Sequence, residues 1–177
     1  MANLTFICGT MGAAKTADAL VKKFQYEETG QKVLMFKPRI ALRDGKGVIR
    51  TRLGLEAPAL ELEEWIENHS ETERMVYCSN FQCLICDEAQ FLSKESVDIL
   101  SDIVDEIGIP VYCYGLKTDY KGELFEGSKR LLEISDVVRE LETVCSCGKK
   151  AIINVKISGD DINGKYVAMC RKCAKRI

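Results

Sequence analysis

Short apolar runs alternate with amphipathic stretches along most of the chain. The apolar runs predict buried strands at residues 4–8, 32–36, 81–86 and 109–114. The stretches between and after them predict helices at residues 17–28, 60–68, 93–106 and 128–135. Strands that alternate with helices in this way favour an α/β fold in which helices cover both faces of a parallel sheet.

Residues 37–58 interrupt this alternation. The stretch is rich in glycine and arginine and shows little periodicity. It predicts a long, basic, flexible loop, and in a compact domain a loop of this length is usually functional or disordered.

The composition changes near Thr143, where a cysteine-rich segment begins. Apolar residues alternate along residues 153–157, a polar turn follows, and a second extended stretch begins near Tyr166. This pattern predicts a two-stranded ribbon. We therefore divide the chain into a core of residues 1–143 and a small C-terminal domain of residues 144–177.

Four cysteines flank the predicted ribbon in two closely spaced pairs. They are Cys145, Cys147, Cys170 and Cys173. Four thiolates complete a tetrahedral zinc shell and leave no open position for catalysis, so the predicted zinc is structural. A segment this small needs such a cross-link to fold. Free thiols or a redox pair are the alternative.

The chain of 177 residues carries a net charge of −2. This charge argues against broad binding to nucleic acids or to anionic membranes. No apolar stretch approaches the ~20 residues that a membrane-spanning helix needs, and the amino-terminal sequence has no secretory leader pattern. We therefore expect a cytoplasmic protein with no membrane and no nucleic-acid partner.

A phosphate-binding loop is predicted between the first strand and the first helix. Its residues are Gly9, Thr10, Met11, Gly12, Ala13, Ala14, Lys15 and Thr16. In such loops backbone N–H groups and the helix N-terminus bind phosphates, a lysine contacts the outer phosphates, and a hydroxyl holds Mg²⁺. Ala14 stands where a second glycine is usual, and its Cβ would cost about 1–2 kcal/mol if this backbone were left-handed. An ordinary strand–loop–helix turn is the alternative.

An acidic pair, Asp87 and Glu88, follows the apolar run at residues 81–86. Beside a phosphate loop, a carboxylate at this strand end usually contacts the Mg²⁺ shell. Phosphoryl transfer also needs a carboxylate that accepts the proton of the attacking hydroxyl. We interpret Asp87 as the metal ligand and Glu88 as the general base. A solvated acidic strand end, in which Glu88 caps the next helix, is the alternative.

Together these motifs resemble those of the cellular-type (type II) thymidine kinases, and the resemblance covers nearly the whole chain. It rests on the loop at residues 9–16, the sequence Asp-Glu-Ala-Gln-Phe at residues 87–91, segment 115–125 and the paired-cysteine ribbon. Segment 115–125, Gly-Leu-Lys-Thr-Asp-Tyr-Lys-Gly-Glu-Leu-Phe, is the most specific of these. The resemblance implies a RecA-like P-loop NTPase core, a zinc-bound lasso domain that encloses the nucleoside, and commonly a homotetramer.

The resemblance also implies an activity, which is ATP-dependent phosphorylation of the 5′-hydroxyl of thymidine or deoxyuridine. ATP would contact residues 9–16, Asp87 and Gln90. Mg²⁺ would be held by Thr16 and Asp87, and Glu88 would act as the catalytic base. The thymine pocket would be lined by Met11, Leu116, Tyr120, Phe125 and Tyr166.

Three features depart from the family pattern: Ala14 in the phosphate loop, Ala41 where aspartate is usual, and a short lasso at residues 158–165. They favour a second hypothesis, a diverged family member that binds nucleotide with weak or no turnover. A third hypothesis is an unrelated P-loop ATPase whose zinc ribbon contacts nucleic acid. The net charge and segment 115–125 both argue against it.

Overall fold

The computed structural model describes residues 2–41, 43–159 and 164–177. The strands in these residues are β1 (Leu4–Cys8), β2 (Val33–Lys37), β3 (Val48–Arg50), β4 (Glu56–Pro58), β5 (Leu60–Glu61), β6 (Cys83–Cys86), β7 (Val111–Gly115), β8 (Val137–Glu140), β9 (Thr143–Val144), β10 (Lys150–Ala151), β11 (Ile153–Ser158) and β12 (Lys165–Met169). Six of them form a parallel sheet in the order β5-β2-β6-β7-β1-β8. Its central strands read as continuous apolar runs because both of their faces are buried; all five residues of β1 are buried.

Helices cover both faces of this sheet, as the sequence pattern predicts. They are α1 (Lys15–Glu28), α2 (Leu62–Asn68), α3 (Glu71–Cys78), α4 (Lys94–Ile107), α5 (Glu126–Ile134) and α6 (Arg171–Ala174), and a 3₁₀ turn spans Ala89–Phe91. Ala19 and Leu20 of α1 pack on one face against Ile7 and Ile85. The apolar cluster that contains Leu100 of α4 covers the other face. Within the described residues, none of these helices is long and apolar enough to cross a membrane.

Among the elements that the sequence analysis did not predict are helix α3 and the edge strand β8. Cys78 is the buried residue of α3, so this helix lacks the apolar stripe by which helices are recognised. Its start is instead fixed by a capping box, in which Ser70 and Glu73 exchange side-chain and backbone hydrogen bonds. Strand β8 is mostly exposed and therefore has no buried apolar run.

The prediction of a flexible loop at residues 37–58 is wrong for its second half. Strands β3 and β4 pair there as an antiparallel hairpin, whose Ile49 and Ala57 are buried against the α1 face of the sheet. Lys37, only 2% exposed, stabilises the first half: its ammonium donates hydrogen bonds to the carbonyl oxygens of Ala41, Gly45 and Val48. A buried cation and a buried apolar face thus order a segment that lacks periodicity.

The C-terminal segment forms the predicted two-stranded ribbon, since β11 and β12 pair antiparallel. A smaller pair, β9 and β10, lies beside it. Residues 160–163, which belong to the predicted short lasso, lie outside the described residues. In β11 the buried residue is the polar Asn154, 5% exposed, and not one of the alternating apolar residues around it.

Candidate active site

The predicted phosphate loop connects the end of β1 to the start of α1. The N–H of Ala13 donates to the carbonyl oxygen of Thr10 at 3.2 Å, and Gly12 has a φ of +79°. A Cβ on Gly9 would lie 2.7 Å from the carbonyl oxygen of Leu141, so this position needs glycine for the close approach of two backbone segments. The loop therefore presents its backbone at the N-terminus of a helix, where anions bind favourably.

Ala14 has a left-handed backbone, the conformation in which its Cβ is expected to be costly. Its φ is 56° and its ψ is 27°. In this conformation a Cβ lies too close to the following carbonyl oxygen, which costs about 1–2 kcal/mol relative to glycine. The position keeps the loop geometry that glycine usually provides, but under strain.

Lys15 begins α1 and turns its side chain back toward the loop. Its ammonium donates to the carbonyl oxygens of Gly9 at 3.1 Å and Thr10 at 2.9 Å. Burial lowers its pKa, and the neighbouring charges of Glu88 and Asp87 oppose that shift. The cation therefore lies close to the phosphate loop and to the acidic pair at once.

Asp87 lies at the end of β6 and is buried. Burial, followed by the charge of Glu88, raises the pKa of its carboxyl group to about 6. Hydrogen bonds from the Thr16 hydroxyl and from the N–H of Glu88 oppose this rise. A hydroxyl and a carboxylate oxygen in contact beside a phosphate loop fit the ligands that Mg²⁺ prefers.

Glu88, the predicted general base, also has a left-handed backbone, with a φ of 53°. Its Oε2 accepts a hydrogen bond from Nε2 of Gln90 at 2.6 Å. Its Oε1 lies 3.7 Å from Nη1 of Arg43, whose Nε in turn lies 3.1 Å from Oδ1 of Asp44. The carboxylate is therefore fixed from two sides, and its side chain stays 25% exposed.

Gln90 connects the acidic pair to segment 115–125. Its Oε1 accepts a hydrogen bond from the N–H of Leu116 at 3.1 Å. A Cβ on Gly115 would lie 2.8 Å from this same Oε1, so the contact requires glycine there. The Gln90 side chain thus forms hydrogen bonds with protein groups at both its nitrogen and its oxygen, whereas the family resemblance predicts it as an ATP contact.

Contacts with neighbouring elements locate four of the five residues predicted to line the thymine pocket. The Tyr120 and Tyr166 rings are 6.1 Å apart, which brings segment 115–125 next to the C-terminal ribbon. Phe125 packs edge-to-face on Phe91 at 5.5 Å. The backbone N–H of Met11 donates to Oδ1 of Asn154 at 2.8 Å.

The four C-terminal cysteines converge. The sulfur atoms of Cys145, Cys147, Cys170 and Cys173 all lie within 4.8 Å of one another. Tetrahedral zinc with Zn–S bonds of about 2.3 Å separates its sulfur ligands by about 3.8 Å, and Sγ of Cys147 lies 3.6 Å from Sγ of Cys170. Backbone N–H groups lower the pKa of the Cys145 thiol, and neighbouring sulfurs raise that of Cys173. The cluster fits a zinc ion, which would hold all four groups as thiolates.

Arg43 and Asn154 are polar contacts of the site that the predicted site residues do not include. Arg43 comes from the segment predicted as flexible, so its position depends on Lys37 and the hairpin. Asn154 occupies a polar position of the alternation in β11, as Lys156 does, so the sequence gives no signal that singles it out.

Three comparisons with known proteins agree with this geometry. The thymidine kinase family model matches residues 2–174. The thymidine kinase of Zymomonas mobilis is 39% identical over 184 residues, covering 97% of this chain and 95% of the relative. That of Vibrio cholerae is 39% identical and covers 97% and 96%. That of Enterobacteria phage T4 is 38% identical and covers 97% and 95%.

Among solved structures, the replication initiator DnaA bound to AMPPCP and single-stranded DNA has a TM-score of 0.52 with this chain. The two are 17% identical, and the match covers 80% of this chain and 40% of that chain. This likeness shows the fold alone. The predicted fold class, a parallel α/β core of the P-loop NTPase type with a C-terminal cysteine cluster, is confirmed.

Proposed function

The chain belongs to the thymidine kinase family, and we propose that it transfers the γ-phosphoryl group of ATP to the 5′-hydroxyl of thymidine or deoxyuridine. The observation that carries the proposal is the position of Glu88. Its partly exposed carboxylate directly follows Asp87, which contacts Thr16 of the phosphate loop. A proton acceptor next to a phosphate site is the arrangement that a nucleoside kinase needs.

ATP binds along the phosphate loop in this proposal. N–H groups of residues 9–16 other than that of Met11, together with the N-terminus of α1, contact its phosphates. Lys15 exchanges the carbonyl oxygens of Gly9 and Thr10 for phosphate oxygens. Thr16 and Asp87 hold Mg²⁺, which neutralises charge on the phosphate oxygens.

The nucleoside lies between segment 115–125 and the C-terminal ribbon. Glu88 accepts the proton of the 5′-hydroxyl as that oxygen attacks the γ-phosphorus. Gln90 and Arg43 keep the carboxylate oriented, so less reorganisation is needed in the transition state. The proposed pocket residues are Met11, Leu116, Tyr120, Phe125 and Tyr166.

The wider organisation follows from the family. We propose a kinase core of residues 1–143 and a zinc-binding lasso domain of residues 144–177, a homotetramer, and a cytoplasmic location. The division is supported by a separate small apolar cluster around Cys145, Ala151 and Cys170. Light scattering of the purified protein tests the tetramer.

The activity is tested by ADP production with ATP, Mg²⁺ and, in turn, each of the four deoxynucleosides of DNA and deoxyuridine. We expect ADP with thymidine and deoxyuridine. Glu88→Gln should lower kcat by at least about 100-fold because the proton acceptor is lost, while calorimetry still detects ATP binding. Glu106→Gln, an exposed acidic residue of α4, is the matched control and should keep the wild-type rate.

The left-handed Ala14 favours one second candidate, a nucleotide-binding family member without turnover. In this candidate the Cβ of Ala14, at a position where glycine is usual, hinders the close approach of phosphates to the loop backbone. ATP binding in the absence of any thymidine-dependent ADP would establish that candidate and contradict the kinase proposal.

A further inference from the structure

One side chain of the C-terminal ribbon reaches the phosphate loop. Asn154 lies on β11, and its Oδ1 accepts the hydrogen bond from the N–H of Met11 at 2.8 Å. A backbone N–H can only donate, so the amide oxygen of Asn154 is the atom that faces the loop. Asn154 is buried, where a hydrogen bond is stronger than in water.

The bond acts on a peptide unit that also contacts Lys15. The N–H of Met11 and the carbonyl group of Thr10 belong to the same planar peptide. Asn154 binds its N–H side, and the Lys15 ammonium donates to its oxygen at 2.9 Å. Because the peptide is rigid, Asn154 fixes the direction of the carbonyl group on which the Lys15 ammonium rests.

The same ribbon carries Tyr166, which the proposed function places against the nucleoside. In the β11–β12 pairing Lys156 lies opposite Tyr166, and Asn154 lies opposite Ala168. The two strands therefore move together. A ligand seated against Tyr166 and Tyr120 would restrict the ribbon and, with it, the amide of Asn154.

We propose that Asn154 is a positioning residue that couples the two substrates. A bound nucleoside fixes the ribbon, and Asn154 then holds the Thr10–Met11 peptide in the orientation in which the loop binds ATP phosphates. Thymidine therefore tightens ATP binding, and ATP tightens thymidine binding by the same factor. This inference rests on the proposed function, because it needs thymidine and ATP as joint ligands.

The coupling is measured by calorimetry on the full-length, zinc-loaded protein. The probe is β,γ-methylene ATP with Mg²⁺, titrated with and without saturating thymidine, so that no turnover occurs. We expect thymidine to lower the Kd of the wild type about fivefold, the effect of one hydrogen bond. Asn154→Leu, which keeps the size but removes the acceptor, should abolish this difference.

Two further variants separate the role of the bond from general damage. Asn154→Asp keeps an acceptor oxygen in place. It should therefore retain the fivefold ratio between the Kd values without and with thymidine, even though its negative charge raises both values. Lys150→Met removes an exposed ion pair to Glu140 at 2.7 Å, another contact between the C-terminal segment and the core. It should retain the ratio as well.

If thymidine lowers the Kd by the same factor in the wild type and in Asn154→Leu, the inference is overturned. It is also overturned if thymidine no longer lowers the Kd in Lys150→Met. If Asn154→Leu fails to fold, hydrogen exchange of the wild type decides. The β,γ-methylene ATP probe alone should slow exchange in β11 and β12, which it does not contact in the proposal, and unchanged exchange there overturns the inference. Failure of the proposed function is a separate result, since it appears as absent thymidine-dependent ADP production by the wild type.

Discussion

A single methyl group strains the phosphate loop at Ala14, whose φ of 56° suits glycine better. Ala14→Gly should therefore raise the free energy of unfolding by about 1 kcal/mol. Loss of the Cβ should also let phosphates approach the loop backbone more closely and so tighten ATP binding. Chemical denaturation and calorimetry measure the two effects. Ala13→Gly is the matched control: Ala13 is buried and is not among the described residues with positive φ, so its loss should destabilise the protein. Stabilisation by both variants would contradict the strain argument.

The Asp87 carboxyl gives the protein a specific pH dependence. Its pKa is about 6 in the folded chain against an ordinary value of 3.8. Between these values the unfolded chain binds fewer protons than the folded one, so the free energy of unfolding falls as the pH rises through this window.

Asp87→Asn removes that contribution. The stability of the metal-free wild type relative to this variant should therefore decrease by about 2 kcal/mol between about pH 4 and pH 7. Urea denaturation at several pH values measures it. A difference that does not change with pH would show that Asp87 ionises normally in the folded protein.

Among the elements, the segment from β2 to β4 depends on one buried cation. Lys37→Met leaves the carbonyl oxygens of Ala41, Gly45 and Val48 without their donor, so we expect a loss of about 2–4 kcal/mol in unfolding free energy. We also expect faster proteolysis near Arg43 and lower kcat, because Arg43 contacts Glu88. Lys46→Met is the control, since Lys46 is exposed and pairs only at the surface with Glu64. Equal effects of the two variants would assign Lys37 no special role.

The sequence predicted best the elements whose own residues show which positions are buried. Strand β1 and helix α4 have continuous or periodic apolar residues, so their local pattern is sufficient. The β3–β4 hairpin was missed because Ile49 and Ala57 are buried by the sheet and by α1, which lie elsewhere in the chain. Asn154 was missed because its partner, Met11, is 143 residues away.

At the scale of the whole molecule, we expect metal binding by the four-cysteine cluster to determine whether the C-terminal ribbon reaches the core. We expect about one zinc per chain by atomic absorption and loss of that zinc in Cys170→Ser. Without the metal, the segment around β9 and β10 should exchange its amide protons faster, while the parallel sheet stays protected. Cys78→Ser, in the core, should keep the zinc. Full zinc content in Cys170→Ser would contradict the four-cysteine site.

The site as a whole could be predicted only in part. The phosphate loop, the acidic pair and the cysteine pairs are local motifs. The residue types and spacing of each motif are enough to indicate its chemistry. The contact of Gln90 with Leu116 arises where strand ends meet at one edge of the sheet. Met11 meets Asn154 where the separate ribbon lies against the phosphate loop. No local sequence pattern encodes such contacts between distant segments.

The left-handed backbone of Glu88 has a consequence for laboratory evolution. Glycine or asparagine would adopt this conformation more readily. Either would also remove the Glu88 charge, which adds to the larger effect of burial in raising the pKa of Asp87. A library screened for heat tolerance alone would therefore enrich substitutions at this position and discard the proposed proton acceptor. Selection for heat tolerance must therefore be combined with selection for product formation.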